Sequence, residues 1–454
     1  MAMHPTDTVR GAAPRTGRLA PWIGLGAAVL LIGLAMLVPV LLGQSVHVKS
    51  FPPLHAEWSP RLGPGTLPAV VLALAAAVYG VDAAARARWG HLLAGSLLVG
   101  IAWLLSLATV DGADGIGVIL DTQYEYLRTA RAVTNFPATL REYVEHIPLD
   151  SADNWPVHIA GHPPGALLFF VVLVQLGLGS GFAAGLVVLV IAATTPVAVL
   201  VLLRRLGSEP WARRAAPFLV MGPAAIWMAV SADGMFTAVA AWGLCSLGFS
   251  ATARSRSALV GWGVLAGLLL GTCVMLSYGL PLLGLLAIAV LALARSWTPL
   301  PWAVLAALAV VGVFAAFGFA WWEAYPVLVD RYWDGIASRR QFSYWIWGNL
   351  AALAVSAGPL VGASAAMAIG RGIRWREVAT GERVVVLLAL AAALTILAAD
   401  LSQMSKAEVE RIWLPFVPWL LVGTALLSER WRRRGFAGQL GFALVVQHLL
   451  VTGW

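Results

Sequence analysis

The sequence predicts an all-α polytopic membrane protein, and two observations carry that prediction. Of the 454 residues, 60% are hydrophobic and only 11% are charged, whereas soluble globular chains carry about 25% charged residues. Apolar runs also recur along the chain, each long enough to cross a hydrocarbon core of about 30 Å as a helix. Together these observations exclude a soluble protein and predict that lipid surrounds most of the chain.

About thirteen or fourteen apolar runs approach the length of a transmembrane helix, which needs about 20 residues. No repeat and no polar stretch large enough for a soluble domain is visible, so residues 21–454 are predicted to form a single membrane domain. Residues 1–20 are predicted to be a cytoplasmic N-terminal tail. The predicted spans are approximately 21–43, 66–84, 91–109, 163–179, 182–203, 215–230, 234–251, 258–276, 279–295, 299–321, 346–368, 384–399, 411–428 and 437–452.

The net charge of +8 comes from arginines that lie in short clusters between apolar runs, which is the pattern of cytoplasmic loops. It does not form the continuous basic face that a nucleic acid would need. The rule places the long loop 110–162, after the third span, outside the cell. If the two predicted spans between this loop and Arg204 both crossed the membrane fully, Arg204 would also lie outside, against the same rule. Either the short run after Pro164 is re-entrant, which is tolerated when such a segment is buried in protein, or the charge rule is locally broken.

The loop 110–162 is the largest segment outside the apolar runs, and structureless loops of that length are usually functional. Within it, the sequence from Asp121 predicts a short amphipathic helix with Asp121 at its cap and Glu125 one turn further on. Asp121 and Glu125 are the candidate catalytic residues, with Asp111 and Asp114 as alternatives. The structural alternative for Asp121 is capping alone.

Two histidines, His158 and His162, stand where this loop returns to the bilayer, and Pro163 and Pro164 favour a helix start directly after them. The pair could bind a phosphate or a metal, or it could only contact lipid headgroups. No ligand spacing supports zinc, so no metal site is predicted. A divalent cation at the acidic loop stays an open alternative, and no other cofactor is expected.

Two further candidates interrupt apolar sequence. Asp233 stands between two runs without a nearby cation, and an ionisable group at membrane depth is a functional candidate by default. Its structural alternative is an N-cap for the following helix. Tyr278, in Ser-Tyr-Gly-Leu-Pro, is a candidate for substrate binding, although a simple helix break also explains that sequence.

Basic residues on the proposed outer face complete the set of candidates. Arg339 and Arg340 lie among aromatic residues, where they suit an anionic group such as a lipid phosphate, or ordinary headgroup contact. Lys406, Glu410 and Arg411 lie at the mouth of a predicted span. Charges packed so closely against hydrocarbon should be paired, so a structural network between Glu410 and Arg411 is the alternative to substrate binding.

The order of these features resembles the GT-C superfamily of integral-membrane glycosyltransferases. The resemblance covers roughly residues 110–420, and its most specific parts are His162-Pro163-Pro164-Gly165 and the segment 405–413, Ser-Lys-Ala-Glu-Val-Glu-Arg-Ile-Trp. It implies a polyprenyl-phosphate-sugar donor, a glycan or lipid acceptor, and Asp121 as the general base. Arginines would stabilise the departing lipid phosphate.

One departure from the family pattern concerns the acidic loop, which commonly follows the first span and here follows the third predicted one. The alternative counterpart is the loop 44–65, which contains Glu57 but no aspartate. The resemblance and the composition together imply an active site outside a bacterial plasma membrane. A transporter or lipid flippase and another lipid-phosphate enzyme of the O-antigen ligase kind are the competing hypotheses, and neither the sugar nor the acceptor follows from the sequence.

Overall fold

The structure is a computed structural model that describes residues 15–452. The chain is 75% helical, as the sequence predicts. Within the described residues the only strands are β1 (Ala56–Trp58) and β2 (Leu450–Thr452), which form one antiparallel pair. Helix α1 begins at Arg15, so the last residues of the predicted tail 1–20 are helical, and residues 1–14 lie outside the described part.

Helices account for nearly all of the remaining regular structure. Before the long loop they are α1 (Arg15–Leu42), α2 (Thr66–Ala75), α3 (Val81–Arg86) and α4 (Trp89–Ala108). The loop itself contains only short helices, α5 (Asp114–Gly117), α6 (Tyr126–Ala132), α7 (Phe136–Glu142) and α8 (Val157–Ala160). The middle of the chain forms α9 (Pro164–Gln175), α10 (Gly181–Ala192), α11 (Thr195–Arg205), α12 (Glu209–Met221), α13 (Ala225–Met228), α14 (Ala232–Ala251), α15 (Arg256–Leu276) and α16 (Leu283–Ala294).

The last third of the chain contains eight helices, of which two adjoining pairs are sharply bent. They are α17 (Leu300–Ala316), α18 (Trp321–Asp334), α19 (Phe342–Ser356), α20 (Leu360–Ile373), α21 (Thr380–Leu401), α22 (Val409–Ile412), α23 (Val417–Leu421) and α24 (Glu429–Leu449). Short 3-10 turns lie at Thr109–Asp111, Ile119–Asp121, Leu280–Leu282, Ile336–Ser338, Trp375–Glu377 and Val422–Leu426, and a π-helical turn at Ala76–Gly80 joins α2 to α3.

The number of helices that could cross a membrane is smaller than the thirteen or fourteen predicted. Among the described residues, seven helices are long and apolar enough, or nine if each bent pair is one span. The pair α17 and α18 bends by 76° beside Gly318, and the pair α19 and α20 bends by 107° beside Gly358. Both glycines have positive φ, +108° and +82°, a backbone conformation that ends a helix and suits glycine.

Other predicted spans are too short. The runs at 163–179 and 279–295 form the 12-residue helices α9 and α16, which extend only about 18 Å each. The run at 411–428 divides into α22, α23 and a 3-10 turn. Hydropathy detects apolar sequence, but burial inside protein lets a segment be apolar without being long enough to span a bilayer.

The arginine clusters converge on one end of the helix bundle, here called the basic end. The Arg213 guanidinium donates to the carbonyl oxygens of Ala84 and Ala87, at the end of α3, at 3.2 and 2.7 Å. On α24, Arg433 pairs with Asp82 at 2.6 Å. The opposite end, here called the polar end, contains the segments 44–65, 109–162, 317–345 and 402–413.

Helix α9 starts and ends at the polar end. At its start, a Cβ on Gly165 would lie 2.5 Å from the carbonyl oxygen of Met275, where α15 ends. Just beyond its other end, the carbonyl oxygen of Gly179 accepts hydrogen bonds from Arg131 at 2.9 and 2.8 Å. Since Arg131 belongs to the polar end, α9 does not cross the bundle.

This course of α9 supports the alternative that the run after Pro164 is re-entrant. It also removes the conflict over which side of the membrane Arg204 lies on. After α9, helices α10 and α11 run to the basic end, where the Arg204 guanidinium lies 4.6 Å from the ring of Trp89. Arg204 therefore shares an end with the cluster of Arg86 and Arg88. A locally broken charge rule is then not needed to account for Arg204.

Candidate functional site

Of the seven candidate membrane spans among the described residues, α14 is the most buried, and it has a charged residue in its first turn at the polar end. Its spanning segment is 83% buried, and Asp233, in its first turn, is 3% exposed. Ser231 is the N-cap, because its Oγ accepts a hydrogen bond from the backbone N–H of Gly234 at 3.0 Å. The interpretation of Asp233 as the N-cap is therefore wrong, and its carboxylate is available for another partner.

That partner is Arg411, which follows Glu410 in α22 and is 3% exposed. Its Nη1 donates to Oδ2 of Asp233 at 2.8 Å, and its Nη2 lies 3.3 Å from Nε2 of His158. Burial lowers the pKa of Arg411, but the acidic groups around it, Asp233 first, together raise it, and the net shift is upward. The guanidinium is a fixed positive charge at the centre of the site.

A carboxylate lies on the other side of His158. Oε1 of Glu125 is 2.7 Å from Nδ1 of His158, and both residues are buried. Burial raises the pKa of Glu125, while His158 and Arg411 lower it and prevail, so the pKa lies below its ordinary value. Oε2 of Glu125 has no hydrogen-bond partner among residues 15–452. The network of Asp233, Arg411, His158 and Glu125 thus ends in an ionised carboxylate oxygen with acceptor capacity left over.

His162 lies beside this network without belonging to it. Its Nδ1 lies 2.6 Å from the carbonyl oxygen of His158, which can only accept, so Nδ1 carries the proton. Burial lowers the pKa of His162 to about 4, and the ring is therefore neutral at pH 7. Pro163 is the N-cap of α9 and Pro164 its first residue, as the Pro-Pro sequence predicts. The hydrogen bond from His162 to the backbone of His158 brings the two histidines close together.

Asp121 has a different environment from Glu125. It ends a 3-10 turn, and α6 begins only at Tyr126, so the interpretation of Asp121 as a helix cap is wrong. Both of its oxygens accept hydrogen bonds from Arg131, each at 2.8 Å. No hydrogen bond or ion pair of the described residues joins Asp121 to Arg411 or to His158. The structure therefore separates the two predicted catalytic carboxylates.

A second cationic cluster lies next to the network. Nη1 of Arg340 donates to the carbonyl oxygen of Lys406 at 2.5 Å, and Nζ of Lys406 lies 4.3 Å from the ring centre of Trp333. Arg340 and Lys406 are each 6% exposed, whereas Arg339 is exposed. Glu408 joins the two clusters, because its carboxylate lies 3.4 Å from Arg340 and 3.9 Å from Arg411.

The segment that carries Lys406 and Arg411 has an unusual backbone. Ala407 and Glu408 both have positive φ, +70° and +62°, which is strained for residues with a side chain. The amide of Asn349 holds the segment: its Oδ1 accepts from the backbone N–H of Ala407, and its Nδ2 donates to Asp400 and to the carbonyl oxygen of Ser405. This anchoring offsets the strain and points Arg411 at Asp233.

The predicted network between Glu410 and Arg411 contains no direct hydrogen bond within residues 15–452, although the charge of Arg411 lowers the pKa of Glu410. The carboxyl of Glu410 is fully buried, and neither oxygen has a hydrogen-bond partner of good geometry among residues 15–452. Burial raises the pKa of Glu410 to about 7, although the backbone N–H groups of Glu410 and His55 lower it. Through its contact with the backbone of His55, the carboxyl of Glu410 joins α22 to the loop 44–65.

Tyr278 lies apart from the charged residues. Helix α15 ends at Leu276, so the helix break that the sequence suggests at Tyr278 is present. Its ring packs against Trp321 and Tyr325 at 5.6 and 5.8 Å between ring centres. Tyr278 belongs to an aromatic wall of the polar end rather than to the network.

Sequence reasoning did not select Glu408 or Asn349 as site residues. The position of Glu408 between the selected residues Lys406 and Glu410 could have identified it. Asn349 is a single amide within the apolar helix α19, and nothing in the local sequence marks it as functional. Among the described residues, no group of three or more His, Cys, Asp or Glu side chains is arranged to hold a metal ion. Comparison with models of known protein families finds no match, and comparison with curated proteins finds none either.

Proposed function

We propose that the chain is a glycosyltransferase of the GT-C kind that transfers a sugar from a polyprenyl-phosphate donor to a glycan or lipid acceptor at the polar end. The observation that carries the proposal is the buried network that ends in Oε2 of Glu125. It combines an ionised carboxylate that has a vacant acceptor oxygen with the permanent charge of Arg411. Glycosyl transfer to a hydroxyl requires both a base and a positive field for an anionic leaving group.

The environments of the two candidate carboxylates favour Glu125 over Asp121 as the base. Both oxygens of Asp121 already accept from Arg131, while Glu125 keeps one oxygen for an acceptor hydroxyl. In the proposed step, Glu125 takes the proton of that hydroxyl as its oxygen bonds to the anomeric carbon. The bond from this carbon to the phosphate oxygen breaks, and the electron pair leaves with the lipid phosphate. A single displacement of this kind inverts the anomeric centre.

The positive groups beside the network suit the departing phosphate. Arg340 and Lys406 are buried next to Glu408, and exposed Arg339 adjoins them. Charge-assisted hydrogen bonds to an oxyanion are about twice as strong as neutral ones. The proposal assigns donor-phosphate binding to this cluster and positioning of the base to His158 and Arg411.

The distribution of charge supports an extracytoplasmic site. The arginine clusters lie at the basic end, and the rule that positive loops stay inside places that end in the cytoplasm. The polar end, with Glu125 and Asp233, then faces the outside of a bacterial plasma membrane. A transporter would place its ionisable residues near the bilayer midplane, whereas here the residues of the buried network lie at the polar end.

The test is transfer of radiolabelled sugar from polyprenyl-phosphate-hexose and polyprenyl-phosphate-pentose donors to membrane glycans by the purified chain. We expect Glu125→Gln to reduce the rate by about 100-fold or more, and Asp121→Asn, the matched carboxylate of the same loop, to reduce it far less. Loss of activity in Asp121→Asn alone would make Asp121 the base. If no donor is turned over while lipid crosses proteoliposomes, the chain is a transporter.

A further inference from the structure

A large cavity opens at the basic end, on the opposite side of the bundle from the candidate functional site. Its volume is about 920 Å³, within the range of about 300–1,000 Å³ for small-molecule sites. We call it the arginine cavity, because Arg214, Arg371, Arg374, Arg430 and Arg432 line it, against two glutamates, Glu377 and Glu429.

The positive charges of this cavity are incompletely neutralised. Arg371 pairs with Glu382, and Glu429 is engaged by Arg433 outside the cavity. Within residues 15–452, no carboxylate lies at ion-pair distance from Arg214, Arg430 or Arg432. Nε of Arg432 is buried without a hydrogen-bond partner in that part of the chain. Burial and repulsion from Arg214 hold the pKa of Arg432 below its ordinary value.

An apolar groove continues from the arginine cavity along the side of the bundle. This side groove has a volume of about 450 Å³, and its lining includes Trp22, Leu25, Leu360, Gly438 and Phe442. Arg430 and Trp431 line both the cavity and the groove. Because Arg430 and Phe442 are twelve residues apart on α24, the groove extends along the helix for about 18 Å.

We infer that the arginine cavity and the side groove together bind one molecule of an anionic phospholipid, with its phosphate among the arginines and an acyl chain in the groove. Basic pockets between transmembrane helices on the cytoplasmic side suit anionic headgroups. A soluble anion would leave the apolar groove unused. A zwitterionic lipid would bring its own cation into a cavity that is already positive. The inference is independent of the glycosyltransferase proposal, since the two sites share no residue.

The experiment is native mass spectrometry of the purified full chain with phosphatidylglycerol and with phosphatidylcholine of the same acyl chains. We expect phosphatidylglycerol to bind about tenfold more tightly than phosphatidylcholine. Combined Arg430→Ala and Arg432→Ala should remove that preference. Combined Arg254→Ala and Arg256→Ala, which removes two exposed arginines of the same end outside the cavity, should leave it intact.

The groove is tested by filling it. A Cβ on Gly438 or on Gly441 would meet no atom within 4 Å, but only Gly438 lines the groove. Gly438→Leu should therefore weaken binding of both lipids, and Gly441→Leu should not. If the alanine pair does not fold, combined Arg430→Lys and Arg432→Lys should still retain the preference for phosphatidylglycerol.

Three results would overturn the inference. The first is equal binding of the two lipids, and the second is an equal loss in the Arg254 and Arg256 variant. The third is binding of glycerol phosphate, which lacks acyl chains, as tightly as phosphatidylglycerol. This last result would assign the arginine cavity to a soluble phosphate. None of these measurements depends on sugar transfer, so their failure is distinct from failure of the proposed function.

Discussion

Replacing Arg411 by methionine is the sharpest test of the buried network. The substitution keeps most of the side-chain volume but removes the charge that Asp233 contacts at 2.8 Å, where both side chains are 4% exposed. Removing one partner of a buried ion pair destabilises a protein by about 3–5 kcal/mol, because the other charge stays buried without compensation. We expect a loss of this size for Arg411→Met.

A second substitution separates loss of the pair from loss of Arg411 alone. When Asp233→Leu is added to Arg411→Met, no uncompensated charge remains at that pair, so the double variant should be more stable than the sum of the single effects by about 2–3 kcal/mol. The control is Arg433→Met, which breaks a pair with Asp82 whose side chains are 40% and 36% exposed. Exposed pairs of this kind contribute only about 0–1 kcal/mol.

The chain supplies its own probe for this measurement. Its two cysteines, Cys245 and Cys273, are both buried, so a thiol-reactive fluorescent dye labels them only when the helices separate. Unfolding in mixed micelles with increasing SDS then gives a transition for each variant. If Arg411→Met is no less stable than Arg433→Met, the network does not hold the site together and the reasoning is refuted.

Three more predictions concern pH, packing and sidedness. Burial raises the pKa of Glu410 from 4.5 to about 7, so the folded chain binds the proton more tightly than the unfolded chain. Stability should therefore fall by up to about 3 kcal/mol as pH rises from 4.5 to 7. Glu410→Gln should flatten that slope in the same dye assay, and an unchanged slope would contradict the assignment. Gly165→Ala should destabilise the chain, because the added Cβ would meet the carbonyl oxygen of Met275. The control is Gly261→Ala, whose Cβ would meet no atom within 4 Å and which should be neutral or stabilising by about 1 kcal/mol. Equal effects of the two variants on stability would show that α9 does not pack against Met275. An impermeant maleimide applied to intact cells should label Asp153→Cys but not Arg254→Cys, and the reverse would invert the proposed orientation.

The sequence selected most residues of the site but did not predict which of them meet. The acidic loop, the two histidines, Asp233 and the segment 405–413 were selected separately, and the structure joins one member of each into a network. The resemblance made Asp121 the base, but the residue types alone do not separate Asp121 from Glu125, because both are acidic residues of the same loop. The ranking depends on Arg131, which binds Asp121, and on His158, which binds Glu125.

Backbone geometry limited the prediction of spans. Apolar composition can be read from the local sequence. The bends beside Gly318 and Gly358 and the short length of α9 depend instead on how neighbouring helices pack against these segments. The charge pattern was more informative than hydropathy here. It left two alternatives, a run after Pro164 that does not cross or a locally broken charge rule, and the contacts of Gly165 and Gly179 support the first.

By itself the sequence determined that the chain has the apolar helices of a membrane protein and that most of its arginines lie in short clusters between them, because both features are properties of local composition. Only the tertiary structure decided which charges neutralise one another. Arg411 meets Asp233 across 178 positions and His158 across 253, and no local pattern encodes such a contact. A buried charge must find its partner in space, so the identity of that partner is a property of the packed helices.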